Sequence, residues 1–179
     1  MTINRLFRKR LFFGEKMQTK PILDACCGSR MFHFDKQNPH VLFADNRQIE
    51  TTMKDSGKVR HLEIKPDVLH DFTNMPYENE SFWHVVFDPP HLVQGGENSW
   101  LVKKYGKLPC NWREVLKKGF DECMRVLKPN GTLIFKWNET QIPVSEILKV
   151  IDCQPIYGHK SGRLNQTHWL AFVKIEQSL

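Results

Sequence analysis

Three short apolar runs in this chain each break off at an aspartate. They are Pro21-Ile22-Leu23-Asp24, Val41-Leu42-Phe43-Ala44-Asp45 and Ser81-Phe82-Trp83-His84-Val85-Val86-Phe87-Asp88. Short apolar runs bounded by turn residues read as buried strands. The third is rich in the aromatic and β-branched residues that suit a pleated surface. Strands that are apolar throughout belong in a sheet covered on both faces. Ligands of such sheets bind beyond the carboxyl ends of the strands. The three aspartates are therefore the first residues to consider for function.

Between and after these runs the pattern alternates. Residues 31–37 read as a short helix closed by Asn38-Pro39, and residues 47–56 as one or two polar helical turns stopped at Gly57. His61 to Ile64 reads as a third strand. Trp112, Val115, Leu116, Phe120, Cys123, Met124 and Leu127 recur at i, i+3, i+4 spacing, which predicts an amphipathic helix over 110–127. Lys128-Pro129-Asn130-Gly131 then turns the chain into a strand at Thr132–Trp137. A short helix covers 143–151, opening near Pro143. Ile156-Tyr157 and His168–Ile175 are the last two strands, on either side of a polar, basic loop from His159 to Gln166. Alternating strands and helices imply a mostly parallel sheet. Residues 92–108, which hold Gly95-Gly96 and Gly106, form a long loop of the kind usually tied to function.

A chain of 179 residues suits one domain. The expected organisation is a basic arm at 1–19 and a single domain at 20–179. Lys and Arg number 26 against 20 Asp and Glu, and the net charge of +6 would draw a polyanion. The arm carries Arg5, Arg8, Lys9, Arg10 and Lys16 against Glu15 alone; it reads either as a short lid on the domain or as an arm that touches nucleic acid. Leu11-Phe12-Phe13 is too short for the core of a signal peptide, and no run approaches the length of a membrane span. Five cysteines without a CxxC pair or a His/Cys ladder argue against a zinc site. They suit a reducing cytoplasm.

Small residues follow Asp24, and a backbone without bulk lets a ligand come close. Asp45 stands about 20 residues further on, where an acid accepts the hydroxyls of a ribose in dinucleotide folds. No G-x-G-x-x-G fingerprint is present, which disfavours a dehydrogenase. The segment Leu23-Asp24-Ala25-Cys26-Cys27-Gly28-Ser29 resembles the first motif of class I, Rossmann-like, S-adenosylmethionine-dependent methyltransferases, a strand followed by Asp-x-Gly-x-Gly-x-Gly. Asp24 matches the acid and Gly28 the middle glycine; Cys26 and Arg30 stand at the outer glycine positions. Asp71-Phe72-Thr73-Asn74-Met75-Pro76, continuing to Ser81-Phe82, resembles the third motif of the same family. That resemblance implies that Asp71 accepts from the adenine amine and that the Phe72 N–H meets the ring, with Asp67 a rival for the first role.

Asp88-Pro89-Pro90-His91 resembles the Asp-Pro-Pro-Tyr motif of amino-methyltransferases, with His91 in place of an aromatic residue. An exocyclic amine is a poor nucleophile because its lone pair is delocalised into the ring. A carboxylate and a proline carbonyl that accept its two N–H groups pyramidalise the nitrogen, and positioning then supplies much of the rate. Two prolines stiffen the turn by fixing φ. An imidazole at His91 would still stack on a flat ring and would titrate near neutrality.

The resemblance implies a Rossmann-like three-layer α/β sandwich, with a mostly parallel seven-stranded sheet and an antiparallel last strand. It implies S-adenosylmethionine as cofactor and S-adenosylhomocysteine as product. It assigns cofactor contacts to Asp24, Ala25, Cys26, Gly28, Asp45, Asn46, Asp71, Phe72 and Asp88, and catalysis to Asp88, Pro89 and His91. Trp100, Lys103, Lys104 and Tyr105 in the long loop suit backbone contact and base stacking on a single strand, or else a lid with its lysines in water. Trp137 and Asn138, at the end of a later strand, are further substrate candidates. The expected acceptor is an exocyclic amine of DNA or RNA, which must be flipped from a duplex or met in a single strand. A protein amide or a small molecule is the alternative acceptor. A cofactor-binding nucleic-acid module without catalysis is the reading from another class. No metal and no membrane are expected.

Overall fold

The computed structural model describes residues 20–55 and 57–175; the basic arm lies outside the described residues. In chain order the strands are β1 (Ile22–Asp24), β2 (Val41–Asp45), β3 (Ile49–Asp55), β4 (Lys58–Ile64), β5 (Val68–Leu69), β6 (Phe82–Phe87), β7 (Leu127–Asn138), β8 (Tyr157–Ser161) and β9 (Thr167–Val173). The helices are α1 (Trp100–Tyr105), α2 (Trp112–Val126) and α3 (Val144–Ile151). Seven strands form one sheet in the order β5-β2-β1-β6-β7-β9-β8. The β5-β2-β1-β6-β7 stretch is parallel throughout. The last strand, β9, inserts antiparallel between β7 and β8. This is the Rossmann-like α/β architecture, with its antiparallel final strand.

Side chains alternate between the faces of a strand, and here the alternation separates two environments. Leu23, Val85, Phe87, Leu133, Phe135, Trp137, Leu170 and Phe172 share one core with Leu116, Phe120 and Cys123 of α2 and with Ile147 and Ile151 of α3. The apolar stripe of α2 fits that face closely at Gly119. A Cβ there would sit 2.5 Å from the Phe72 ring and 2.8 Å from that of Phe87, so only glycine admits the approach. Arg125, one turn and a half further along α2, donates to the carbonyls of Met75 and Tyr77 and pairs with Glu122, which accepts the Met75 N–H. The helix thereby fixes the segment that follows Phe72.

Several elements differ from the sequence expectation. Residues 31–37 form turns, not a helix. Arg30 takes the left-handed conformation (φ 54°) that a glycine would hold. Its guanidinium stacks on Phe43 and donates to the carbonyls of Lys36 and Lys65 and to Asp67, so side-chain contacts, Arg30 foremost, hold the segment in place of a helical ladder. Residues 47–55 are not helical either. β3 and β4 pair antiparallel from Ile49↔Ile64 to Asp55↔Lys58 as a separate two-stranded ribbon. β-Branched Ile49, Thr51 and Thr52 favour a strand, and Gly57 supplies the positive φ, 79°, for the reversal. The third strand of the main sheet is therefore Val68–Leu69 and not His61–Ile64.

The Lys128–Gly131 turn lies within β7, whose pairing with β6 begins at Phe82↔Leu127 and shifts register before His84↔Thr132. The expected 159–166 loop begins as strand, because β8 runs to Ser161 against β9. The long loop holds α1, a helix with no buried residue. No helix among the described residues is long and apolar enough to cross a membrane.

Candidate active site

The first turn is tied into the strands on either side of it. The Ala25 N–H donates to the carbonyl of Val86 on β6, and the Cys27 N–H to that of Ala44 on β2. His70, neutral because burial lowers its pKa, donates from Nε2 to the Ala25 carbonyl at 2.9 Å. Gly28 turns with φ 49°, and a Cβ built on it would meet nothing within 4 Å. Open space therefore faces this backbone. The Gly28 N–H donates to Asp45 at 3.0 Å.

Around that turn lies a cleft of about 190 Å³, walled by Cys26, Cys27, Gly28, Ser29, Met31 and Phe32, by Asp45, Asn46 and Arg47, by Phe72, by Asp88 to His91, and by Lys104, Tyr105 and Lys136. The ends of β1, β2, β6 and β7 thus meet at one place, as the strand-end rule requires. Of the expected cofactor residues, Cys26, Gly28, Asp45, Asn46, Phe72 and Asp88 line this cleft. Asp24 and Ala25 lie beneath its floor, fully buried. Asp24 accepts from the Cys26 N–H and pairs with His33 Nε2 at 2.8 Å. Burial raises the Asp24 pKa, and the bond to His33 works against that rise. Burial, and then the Asp45 charge, push the Cys26 thiol well up, so it lines the cleft as a neutral group.

Asp71 does not reach the cleft. Its carboxylate accepts from the backbone and hydroxyl of Thr73, making a local turn, and it is exposed. Asp67, the rival, is held by Lys20, Arg30 and the Phe43 N–H. The aromatic face of Phe72 is what this segment gives to the cleft. Trp137 is also corrected: it is fully buried in the helix-covered core and its indole N–H donates to the Ile142 carbonyl at 2.9 Å. Strand alternation turns it away from the ligand side. Asn138 binds Thr140 and Thr167 at the rim, outside the cleft. Trp100 packs under the Arg60 guanidinium of the β3–β4 ribbon, 5.5 Å from its ring centre. Lys104 and Tyr105 line the cleft mouth, while Lys103 contributes its carbonyl to Arg47.

Two further residues of the cleft, Arg47 and Lys136, belong to none of the motifs. Arg47 lies over Asp45, donating from its backbone N–H and from Nε at 3.0 Å and from Nη2 at 3.3 Å, and it reaches the Lys103 carbonyl of α1 at 3.3 Å. Lys136 Nζ meets Asp88 Oδ2 at 2.5 Å. The carboxyl of Asp88 is pushed up to about 6 by burial, with Lys136 opposing the rise and Asp24 adding to it. His91 is pushed down to about 4, chiefly by burial and then by Lys136. It is therefore a neutral ring at physiological pH and not the near-neutral titrating group its unperturbed pKa suggests. It packs 5.0 Å from the Tyr105 ring. A signal for Arg47 existed in its place two residues past a strand-end acid. For Lys136 there was none, because its partner is set by register. Among the described residues no cluster of His, Cys, Asp or Glu has the makings of a metal site.

No family model matches this chain, and no curated protein sequence does. Among solved structures, it is similar to the crystal structure of the PH0226 protein from Pyrococcus horikoshii OT3, at 12% identity and a TM-score of 0.55, over 96% of this chain and 92% of that one. The likeness is one of fold across nearly the whole of both chains. The antibiotic-resistance methyltransferase Kmr aligns over 98% of this chain and 96% of its own, at 13% identity and a TM-score of 0.42.

Proposed function

We propose that this protein is an S-adenosylmethionine-dependent N-methyltransferase whose acceptor is an exocyclic amine of a nucleic acid. The observation that carries this reading is the meeting of the Asp88-Pro89-Pro90 turn with Gly28, Asp45 and Phe72 in one cleft. The donor set fits the cofactor: a strand-end carboxylate for the ribose, an aromatic wall for the adenine, and an open glycine backbone. The cleft volume is below the ~300–1,000 Å³ usual for such ligands. Arg47 lies over Asp45 in the cleft, so a ribose held by Asp45 would have to displace its side chain. The cofactor, when bound, supplies an electrophilic methyl group on sulfur.

The rest of the chemistry belongs to this chain. Asp88 Oδ2 is engaged by Lys136, and Oδ1 has no hydrogen-bond partner among the described residues. Oδ1 accepts one N–H of the acceptor, and the Pro89 carbonyl accepts the other. Methylation of a neutral amine releases one proton, and a carboxylate with a pKa of about 6 is suited to take it. Lys104 and Tyr105 at the mouth, and the Arg60–Trp100 pair beside it, suit a phosphate backbone and stacked bases.

The test is transfer of a labelled methyl group from S-adenosylmethionine to single-stranded RNA, single-stranded DNA, total protein and small-molecule fractions. Label in nucleic acid that disappears with Asp88→Ala supports the reading. Label in protein or in a small molecule would move the acceptor class. Tight nucleic-acid binding without turnover would make the chain a binding module.

A further inference from the structure

We propose that Lys136 is a positioning residue of the transfer site: it clamps one oxygen of Asp88, fixes the plane of the carboxylate and leaves the other oxygen alone for the acceptor N–H. The inference rests on the reading of Asp88 given above and adds to it a residue that none of the motifs marks.

Sheet register places the lysine. β6 and β7 pair Phe87↔Phe135, so Asp88 and Lys136 are the next residues in line. β7 and β9 pair Lys136↔Trp169. Asp88, Lys136 and Trp169 therefore lie side by side on one face, brought there from segments of the chain far apart in sequence. The ammonium sits 5.5 Å from the centre of the Trp169 ring and 5.1 Å from that of Phe32, which packs edge-on to Trp169 at 5.4 Å. Two aromatic faces and a carboxylate thus confine a side chain that is otherwise long and free. Cation–π contacts hold such a group more strongly as water is excluded, and both Lys136 and Asp88 are only 20% exposed.

The charges facing Asp88 are few. Lys136 comes from β7, Asp24 from β1, and the Cys26 thiol from the first turn; His91, from its own turn, is neutral. Lys136 is the one cation among them. Without it the carboxyl faces burial and the Asp24 charge alone, and both favour the protonated form. A protonated Asp88 neither orients an amine through a carboxylate oxygen nor takes its proton. An ammonium is also a point charge with three donors and no fork. It engages one oxygen and leaves the second bare.

The decisive measurement is the titration of the Asp88 carboxyl by carbon-13 NMR, assigned with Asp88→Asn, in the wild type, Lys136→Met and Lys136→Arg. Lys136→Met is expected to raise the midpoint by at least about one pH unit, and Lys136→Arg to hold it within about half a unit. An unchanged midpoint in Lys136→Met overturns the proposal. Should Lys136→Met fail to fold, Lys136→Gln, which keeps a polar head without the charge, takes its place in the Asp88 titration: a raised midpoint supports the coupling and an unchanged one overturns it. Calorimetry with S-adenosylhomocysteine on the same proteins separates the two readings. Wild-type protein that does not bind it refutes the proposed function, while the lysine–aspartate coupling is judged by the titration alone. Once an acceptor is known, Lys136→Met is expected to lower kcat at pH 7 with KM little changed and to move the acid limb of kcat upward.

Discussion

On the face of the sheet that carries α2 and α3, β7 contributes Leu133, Phe135 and Trp137, and none of the three has any exposed surface. Shifted by one residue, the same strand gives the opposite face Thr132, Ile134 and Lys136. β6 divides likewise, with Val85 and Phe87 against the helices and His84, Val86 and Asp88 away from them. Asp24, His33, Asp88, Lys136 and Trp169 all belong to the second face. One face is sealed by apolar packing; the other gathers titratable groups whose pairing has to be satisfied locally. The difference teaches that a carboxyl with a shifted pKa needs a rigid floor. The apolar face supplies it: strands that are fixed from below leave the polar side chains above little freedom.

If the apolar face is the structural one, truncation there should cost the most. Phe135→Ala is expected to destabilise the protein by about 3–5 kcal/mol in denaturant unfolding. A loss under about 1 kcal/mol would break the division between the faces. Next in size is the polar face's own signature. Asp88→Ala is expected to lower kcat by about 10²–10³-fold while calorimetry still detects the adenosyl ligand, the scale seen when one preorganised polar partner of a transition state is removed. A third expectation concerns Trp137, whose indole lies on the apolar face. Trp137→Phe removes the bond to the Ile142 carbonyl and should cost about 1 kcal/mol of stability with kcat unchanged. A selective loss of activity would return Trp137 to the substrate.

The pH dependence sharpens the contrast. Activity should rise with pH as Asp88 ionises through about 6. His91, already neutral above about 4, should add no limb near neutrality, and His91→Phe should leave the profile in place. Stability runs the other way. Asp88 has a folded-state pKa above its unfolded value, so between about 4 and 6 the folded state holds the proton more tightly. Its contribution to stability therefore falls as pH rises through that window, and Asp88→Asn should flatten the slope measured by thermal unfolding at successive pH values.

The strand-end aspartates, the amphipathic face of α2 and the stiff Pro89-Pro90 turn were legible in the sequence. Each is a local property: an apolar run, a 3.6-residue period, a fixed φ. The hairpin β3–β4, the turns at 31–37 and the partners of the cleft acids were not. Arg30 replaces a helix through contacts with Lys36, Lys65 and Asp67, and no window of propensity contains those contacts. Asp71 matched a motif, yet its carboxylate is spent on Thr73, because a short acid bonds the nearest N–H before a distant ligand. Lys136 stands 48 residues from Asp88. The sequence by itself determined which residue types end each strand. Which of them face one another was decided by the register of three strands, and register belongs to the assembled sheet, since a slip of one residue would send every side chain to the other face.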